Sequence, residues 1–285
     1  MFRVGIIGDI ILDILLSVDG FPVEDSEVVL KGEQFRLGGS AFNTAYELNP
    51  TELQPLLLAT YGKDTAGEFV KEALQEVHLD NAFIYEIDTN TGKIYILLSP
   101  DGKRTMISSR SDTPIPLDKE LYKAFIEKID WLHVSGYLLS VPEQYECAIF
   151  AMKMAKENNL PVSLDPGTNT LKNNPEQLLQ ALRYTDYFLP NREEFNLLHY
   201  INGYERLTDQ NNLIIKDGCK GVCYITAATE RHIPAKNILR TNNSIGAGDA
   251  FNAGFILGML STGDLKRACE KGNEFAYNRL LKETR

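Results

Sequence analysis

Asn243-Ser244-Ile245-Gly246-Ala247-Gly248-Asp249 runs directly into an apolar stretch, Ala250 to Leu260. Two glycines ahead of a helix let its first backbone N–H groups approach an anion, and the helix dipole at that end favours negative charge. Asp249 thus sits where a general base would be useful, taking the proton of a hydroxyl that attacks phosphorus. The same dipole predicts a lowered rather than a raised pKa for it. The plainer reading is a loop with Asp249 as a helix cap. Gly38-Gly39-Ser40-Ala41-Phe42-Asn43 is a second such place. The glycines permit close approach of a ligand or of another backbone, and Asn43 offers a donor and an acceptor to hydroxyl groups. Its plainer reading is a turn and a helix start. No G-x-x-x-x-G-K-[ST] sequence occurs, which excludes a P-loop, and Gly246-Ala247-Gly248 lies too late in the chain for a dinucleotide fingerprint.

Other chemistry-bearing residues read as structural. Cys147, Cys219, Cys223 and Cys269 contain one close pair and no second pair to complete a zinc site. His78, His133, His199 and His232 lack ligand spacing. Trp131, Phe125 and Tyr145 suit core or edge packing, while Tyr137 follows a strand that could face a site.

The elements that must position these residues follow from apolar patterning. Val4 to Gly8 is a short apolar run ending in glycine, as in a buried parallel strand. Short apolar runs recur at Leu132 to Val134, Val162 to Leu164, Tyr187 to Leu189, Leu213 to Ile215 and Val222 to Ile225, mostly separated by amphipathic segments such as Glu143 to Asn158. Strands alternating with helices predict a parallel α/β sheet. Two stretches break the rhythm, Glu27 to Arg36 and Gly92 to Ser109, the latter with Asp101-Gly102 between apolar runs as a hairpin signal. These predict a small β-appendage over one edge of the sheet, a lid.

The 285 residues are 44% hydrophobic and carry 29 Lys plus Arg against 39 Asp plus Glu, a net charge of -10. That charge disfavours nucleic-acid binding, and a polyanionic substrate would need a local cation. Asp9 and Asp13 interrupt the apolar opening Val4 to Val18, which therefore reads as neither a signal peptide nor a membrane span. A cytoplasmic protein without nucleic-acid or membrane partners is expected.

Gly38-Gly39 with Asn43 early, and Gly246-Ala247-Gly248-Asp249-Ala250-Phe251 late, resemble the two signature regions of the ribokinase (PfkB) family of carbohydrate kinases. Gly8-Asp9 with Asp13 is similar to the family's first strand and sugar-binding carboxylate, and Asp101-Gly102-Lys103-Arg104 to its lid hairpin. His133 to Gly136 and Ser163 to Pro166 resemble core strands. Pro190-Asn191-Arg192-Glu193-Glu194 fits the N-x-x-E motif associated with magnesium and phosphate. The sequence differs from the family's usual pattern at Asn243, where Asp is common, and at Lys216-Asp217-Gly218, where Thr-x-Gly is common. It differs also at Ser109 to Asp112 and after Asp165-Pro166-Gly167.

The resemblance implies one kinase domain over residues 1–285 of ribokinase-like α/β class, three α/β/α layers with a largely parallel sheet and a β-sheet lid at about 27–36 and 92–109. It implies ATP and Mg2+, with a monovalent cation as a further candidate. Asp249 would be the base, with Gly246, Ala247 and Gly248 as the anion hole. Asp13, Gly38, Gly39, Asn43 and Arg104 would bind the sugar. Asn191, Lys216, Gly218, Gly221 and Asn273 would serve the nucleotide, and Glu194 the magnesium through water. A fructose-like ketose is the first substrate expectation, with ribose or 2-keto-3-deoxygluconate next. A nucleoside kinase and a catalytically silent binding protein are the alternatives. A homodimer through the lid is expected, with Ile94, Ile96 and Leu98 on one face either meeting a partner's lid or covering the sugar.

Overall fold

The computed structural model describes residues 1–100, 103–109, 115–201, 211–236 and 244–282. The turn at Asp101-Gly102, the segment Arg110 to Asp112, and Asn243 lie outside them. Within the described residues a nine-stranded sheet has the order β13-β12-β11-β10-β9-β8-β1-β4-β5. Its strands are β1 (Arg3–Ile7), β4 (Gln54–Gly62), β5 (Ile84–Ile87), β8 (Trp131–Ser135), β9 (Val162–Asp165), β10 (Tyr187–Phe188), β11 (Asn212–Lys216), β12 (Val222–Ile225) and β13 (Glu230–Ile233). All neighbours pair in parallel except β11 with β12 and β12 with β13.

Alternation along these strands sends side chains to both faces, and helices cover each face. Ile7, Leu58, Leu132, Val134 and Leu164 pack with α3 (Lys119–Ile126), α4 (Pro142–Glu157), α5 (Thr168–Asn173), α6 (Pro175–Leu182) and α7 (Arg192–Leu198). Val4, Ile6, Leu57, Ala59 and Ile214 pack with α1 (Ser40–Leu48), α2 (Thr65–Val77), α8 (Ala247–Thr262) and α9 (Leu265–Lys282). The result is the expected three-layer α/β/α arrangement. Helix α8 is buried all round from Ala250 to Gly258, as a run without a polar face requires.

A second sheet of four strands has the order β3-β2-β6-β7, from β2 (Ile11–Val18), β3 (Leu30–Gly38), β6 (Lys93–Leu98) and β7 (Arg104–Ser109). This is the lid, wider than the two stretches the sequence suggested. Strand β2 belongs to it, and Asp13 therefore lies on a lid strand, not on the first core strand. The reason is visible in β2 itself: five of its first residues, Ile11 to Leu15, are buried without alternation, so the run looks like a continuation of β1. Strand β3 also extends to Gly38 instead of ending at Arg36.

Candidate active site

Strands β1, β8, β9, β10 and β11 all end on one edge of the large sheet, and the residues at or just past those ends gather there. Asp9, Tyr137, Asp165, Asn191 and Lys216 line a cavity of about 430 Å³, the position where open parallel sheets bind ligands. Its roof is the lid, through Ile11, Asp13, Ile94, Ile96 and Met106, and its floor is Ser244 to Asp249 at the start of α8. A smaller cavity of about 280 Å³ lies on the other side of that helix start, lined by Gly218, Gly221, Phe251, Asn273 and Tyr277 among others. Lys216, Gly218, Ser244, Ala247 and Gly248 line both.

Gly246 caps α8 with φ 76, a left-handed backbone that glycine adopts without strain, and this turn sets Ala247, Gly248 and Asp249 on the cavity wall, the Ala247 N–H donating back to Ser244 O at 3.3 Å. Asp249 is held there from across the chain: the Ser40 hydroxyl donates to Oδ1 at 2.7 Å and Asn43 Nδ2 donates to Oδ2 at 2.9 Å. Burial, then repulsion by Asp165, outweighs these bonds and nearby Lys216, pushing the Asp249 pKa up to about 7. The lowered pKa expected from the helix dipole is thus overturned, because the dipole acts on a carboxyl removed from water beside a second carboxylate.

Asn43, expected on the sugar, donates one amide N–H to Asp249 and lines the cavity. Asp13 is buried on β2, with Arg36 Nε 4.0 Å from its Oδ2. Gly38 lies against that carboxyl, and a β-carbon there would overlap it. Gly38 therefore serves by making room for Asp13, whereas Gly39 lines the cavity. Arg104 is not in the cavity wall: it is exposed at the start of β7, one pleat nearer the hairpin than Met106 on the same face. Ile94 and Ile96 line the cavity, so two of the three apolar residues on that face cover the site.

Asn191 and Glu194 form a capping box at α7: the Glu194 N–H donates to Asn191 Oδ1 at 2.9 Å and the Asn191 N–H to Glu194 Oε2 at 2.8 Å. Thr168 donates to the other Glu194 oxygen at 3.0 Å. Burial and then Asp165 push the Glu194 pKa up, against Lys216 and these bonds. Among the described residues no group of three or more His, Cys, Asp or Glu could hold a metal directly. Mg2+ is compatible with this donor set, because it keeps several waters and takes phosphate oxygens as ligands; Asn191, Glu194 and Asp165 would hold those waters. The bound ion would neutralise phosphate charge.

In the smaller cavity Asn273 on α9 donates to Ile233 O and Pro234 O at 3.4 and 3.3 Å, fixing the β13 end as a wall. Gly221 lies against the backbone of Ile233 to Ala235. Three residues not singled out from the sequence bond those that were or one another: Ser40, Asp165 and Asn252. Ser40 is inside the early glycine segment, and its type after two glycines was the available signal. Asp165 was read as the end of a core strand, and Asn252 as one position of an apolar helix. Asn252 Nδ2 donates to Asp165 Oδ2 at 2.6 Å, and Lys216 Nζ donates to the same oxygen at 2.7 Å. Burial alone would raise the Asp165 pKa, but Lys216 and these hydrogen bonds hold it below the ordinary carboxylate range. The histidines stay structural, His133 being fully buried with its pKa pushed down to about 4 by burial. All four cysteines are free thiols.

A half-buried carboxylate at a helix N-terminus, lining the larger of two adjoining cavities at the carboxyl edge of a doubly wound sheet and beneath a small second sheet, is the arrangement of a ribokinase-like fold. Residues 1–283 match the family described as pfkB family carbohydrate kinase, and the chain belongs to that family. It is 26% identical over 283 residues to an ATP-dependent ribose-1-phosphate kinase of Halopiger xanaduensis, covering 96% of this chain and 90% of that one. It is 27% identical over 287 residues to a nucleoside kinase of Methanocaldococcus jannaschii, covering 94% and 86%. In structure it is similar to an Arabidopsis thaliana ribokinase complexed with ribose and ATP, with a TM-score of 0.82, 17% identity and coverage of 99% and 93%. Among the described residues no helix is long and apolar enough to cross a membrane.

Proposed function

We propose that the chain transfers the γ-phosphoryl group of ATP to a hydroxyl of a sugar, or of the sugar part of a nucleoside, held in the larger cavity, with the nucleotide in the smaller one. The observation that carries this is Asp249: its carboxylate, oriented by Ser40 and Asn43, lines the larger cavity directly beside Ala247 and Gly248, which line both. In this reading Asp249 takes the acceptor's proton while the first N–H groups of α8 receive the phosphoryl oxygens. Asp13 and Asn43 bind acceptor hydroxyls, Gly218, Gly221 and Asn273 border the nucleotide, and the two sheets act as one catalytic unit.

A fructose-like ketose, ribose and 2-keto-3-deoxygluconate form one arm of the substrate reading. Nucleosides form the second, favoured by the apolar side chains Ile11, Ile94, Ile96 and Met106 beside Tyr137, which could cover a base, and by the nucleoside kinase among its relatives. ADP release measured across sugars, sugar phosphates and nucleosides, with Asp249→Asn as control, tests it. Release with one acceptor class, lost in the variant, is the expected result. Acceptor-independent release, or release that survives in Asp249→Asn, would overturn it. For a homodimer through the lid, the opposite face offers Phe35 and Ile107, which are 49% and 60% exposed. Sedimentation of wild type beside Ile107→Asp tests that pairing.

A further inference from the structure

Lys216 stands where the family's usual pattern has threonine, and the structure gives that departure a location. It ends β11 at the junction of the two cavities and lines both. Its side chain is 12% exposed, and its ammonium is fixed by Asp165 Oδ2 at 2.7 Å and Asn252 Oδ1 at 3.2 Å. Asn252 and Asp165 are bonded to each other, so the ammonium has little freedom to move. A β-carbon built on Gly248 would lie 3.7 Å from Nζ, so the ammonium faces the helix start with no side chain between. An ammonium carries three donors, and these two partners take two of them.

The surroundings define what the remaining donor meets. Among the described residues, the other charged side chains lining the larger cavity are Asp9, Asp13, Asp165, Glu194 and Asp249, all acidic. A triphosphate reaching across the junction would meet carboxylates on the far side, a repulsion that a fixed cation at the crossing offsets.

We infer that Lys216 is a catalytic residue that binds the transferring phosphoryl group, an inference that rests on the kinase reading above. Held by Asp165 and Asn252, its ammonium contacts the phosphoryl oxygens between the two cavities and stabilises their charge as the transfer proceeds. The acceptor oxygen bonds to phosphorus as its proton passes to Asp249. The bond from phosphorus to the bridging oxygen breaks, that electron pair leaves with ADP, and Lys216 keeps its protons throughout. This is a larger role than bordering the nucleotide, since it discriminates by phosphate and not by base.

Single and combined variants test it, all assayed well above neutrality so that Asp249 is ionised in each. Lys216→Ala should lower kcat roughly a hundredfold, the loss seen when one donor to a developing anion is removed, with the acceptor KM little changed. Added methylammonium should restore part of the rate. Asp165→Asn alone keeps the ammonium and should be clearly faster than Lys216→Met combined with Asp165→Asn, which leaves no orphaned buried charge; equal turnover in the two would reduce Lys216 to a neutraliser of Asp165 and overturn the inference. Calorimetry gives a readout without turnover: Lys216→Ala should lose about tenfold or more in affinity for a non-hydrolysable ATP analogue and none for adenosine. Equal losses for both would also overturn it. If wild type phosphorylates no acceptor, the kinase reading fails by itself and the calorimetry still decides the role of Lys216.

Discussion

Asp249 can accept a proton only when ionised, and its pKa stands at about 7. The value of kcat/KM, which reports the free enzyme, should therefore climb as pH rises through neutrality and level off above it. Ser40→Ala removes a bond to the ionised form, so the inflection should move to higher pH while the plateau falls far less than in Asp249→Asn, for which roughly a hundredfold loss or more is expected. Gly248→Val separates catalysis from folding. The nearest group to a new β-carbon is Lys216 Nζ at ordinary contact distance, so the melting temperature should hold while turnover drops through blocked approach of phosphate to the backbone. Asp249 and its glycines were legible because type, spacing and the following apolar run coincide in a few residues. Asp165 and Asn252 were not, because their meaning depends on Lys216, 51 and 36 residues away, and three separate elements must fold before it exists.

Among the elements, the lid is anchored by one helix cap. Asp64 caps α2, accepting from the Gly67 N–H at 2.9 Å, and also accepts from Thr91 and Lys93 at the start of β6 at 2.6 and 3.0 Å. Burial would raise its pKa, but these hydrogen bonds prevail and hold it at about 2. Since its pKa is depressed on folding, the stability it contributes is present above about pH 4 and is lost as pH falls through about 2. Asp64→Ala should cost about 2 kcal/mol near neutrality, from the lost cap and the lost charged bonds, and the difference from wild type in urea midpoint should shrink in acid. Strands β2, β3, β6 and β7 should also gain protection from hydrogen exchange when acceptor saturates the site; unchanged protection would mean that the sheet does not close. The core strands were readable because parallel strands covered on both faces are short apolar runs between helices. Strand β2 was not, because burial on both faces gives it the same texture while its partners lie in the other sheet.

Across the whole molecule, the last described helix, which lines the smaller cavity with Asn273 and Tyr277, also bears on the larger one. Arg279 on α9 bonds Glu47 on α1 at 3.4 Å, with both side chains largely buried, and its guanidinium lies against Gly246. It thus ties the helix that carries Asn43 to the turn that carries Asp249. Arg279→Met should destabilise by about 3 kcal/mol, because Glu47 loses its nearer partner, and should lower turnover without a selective change in either substrate's KM. Thermal melts and steady-state kinetics check the two halves. The bonds from Ser40 and Asn43 to Asp249 span 209 and 206 residues of sequence. A growing polypeptide would hold the lid and most strand ends of the larger cavity on the ribosome long before its floor, so the transfer proposed for Asp249 must wait until α8 has emerged and docked.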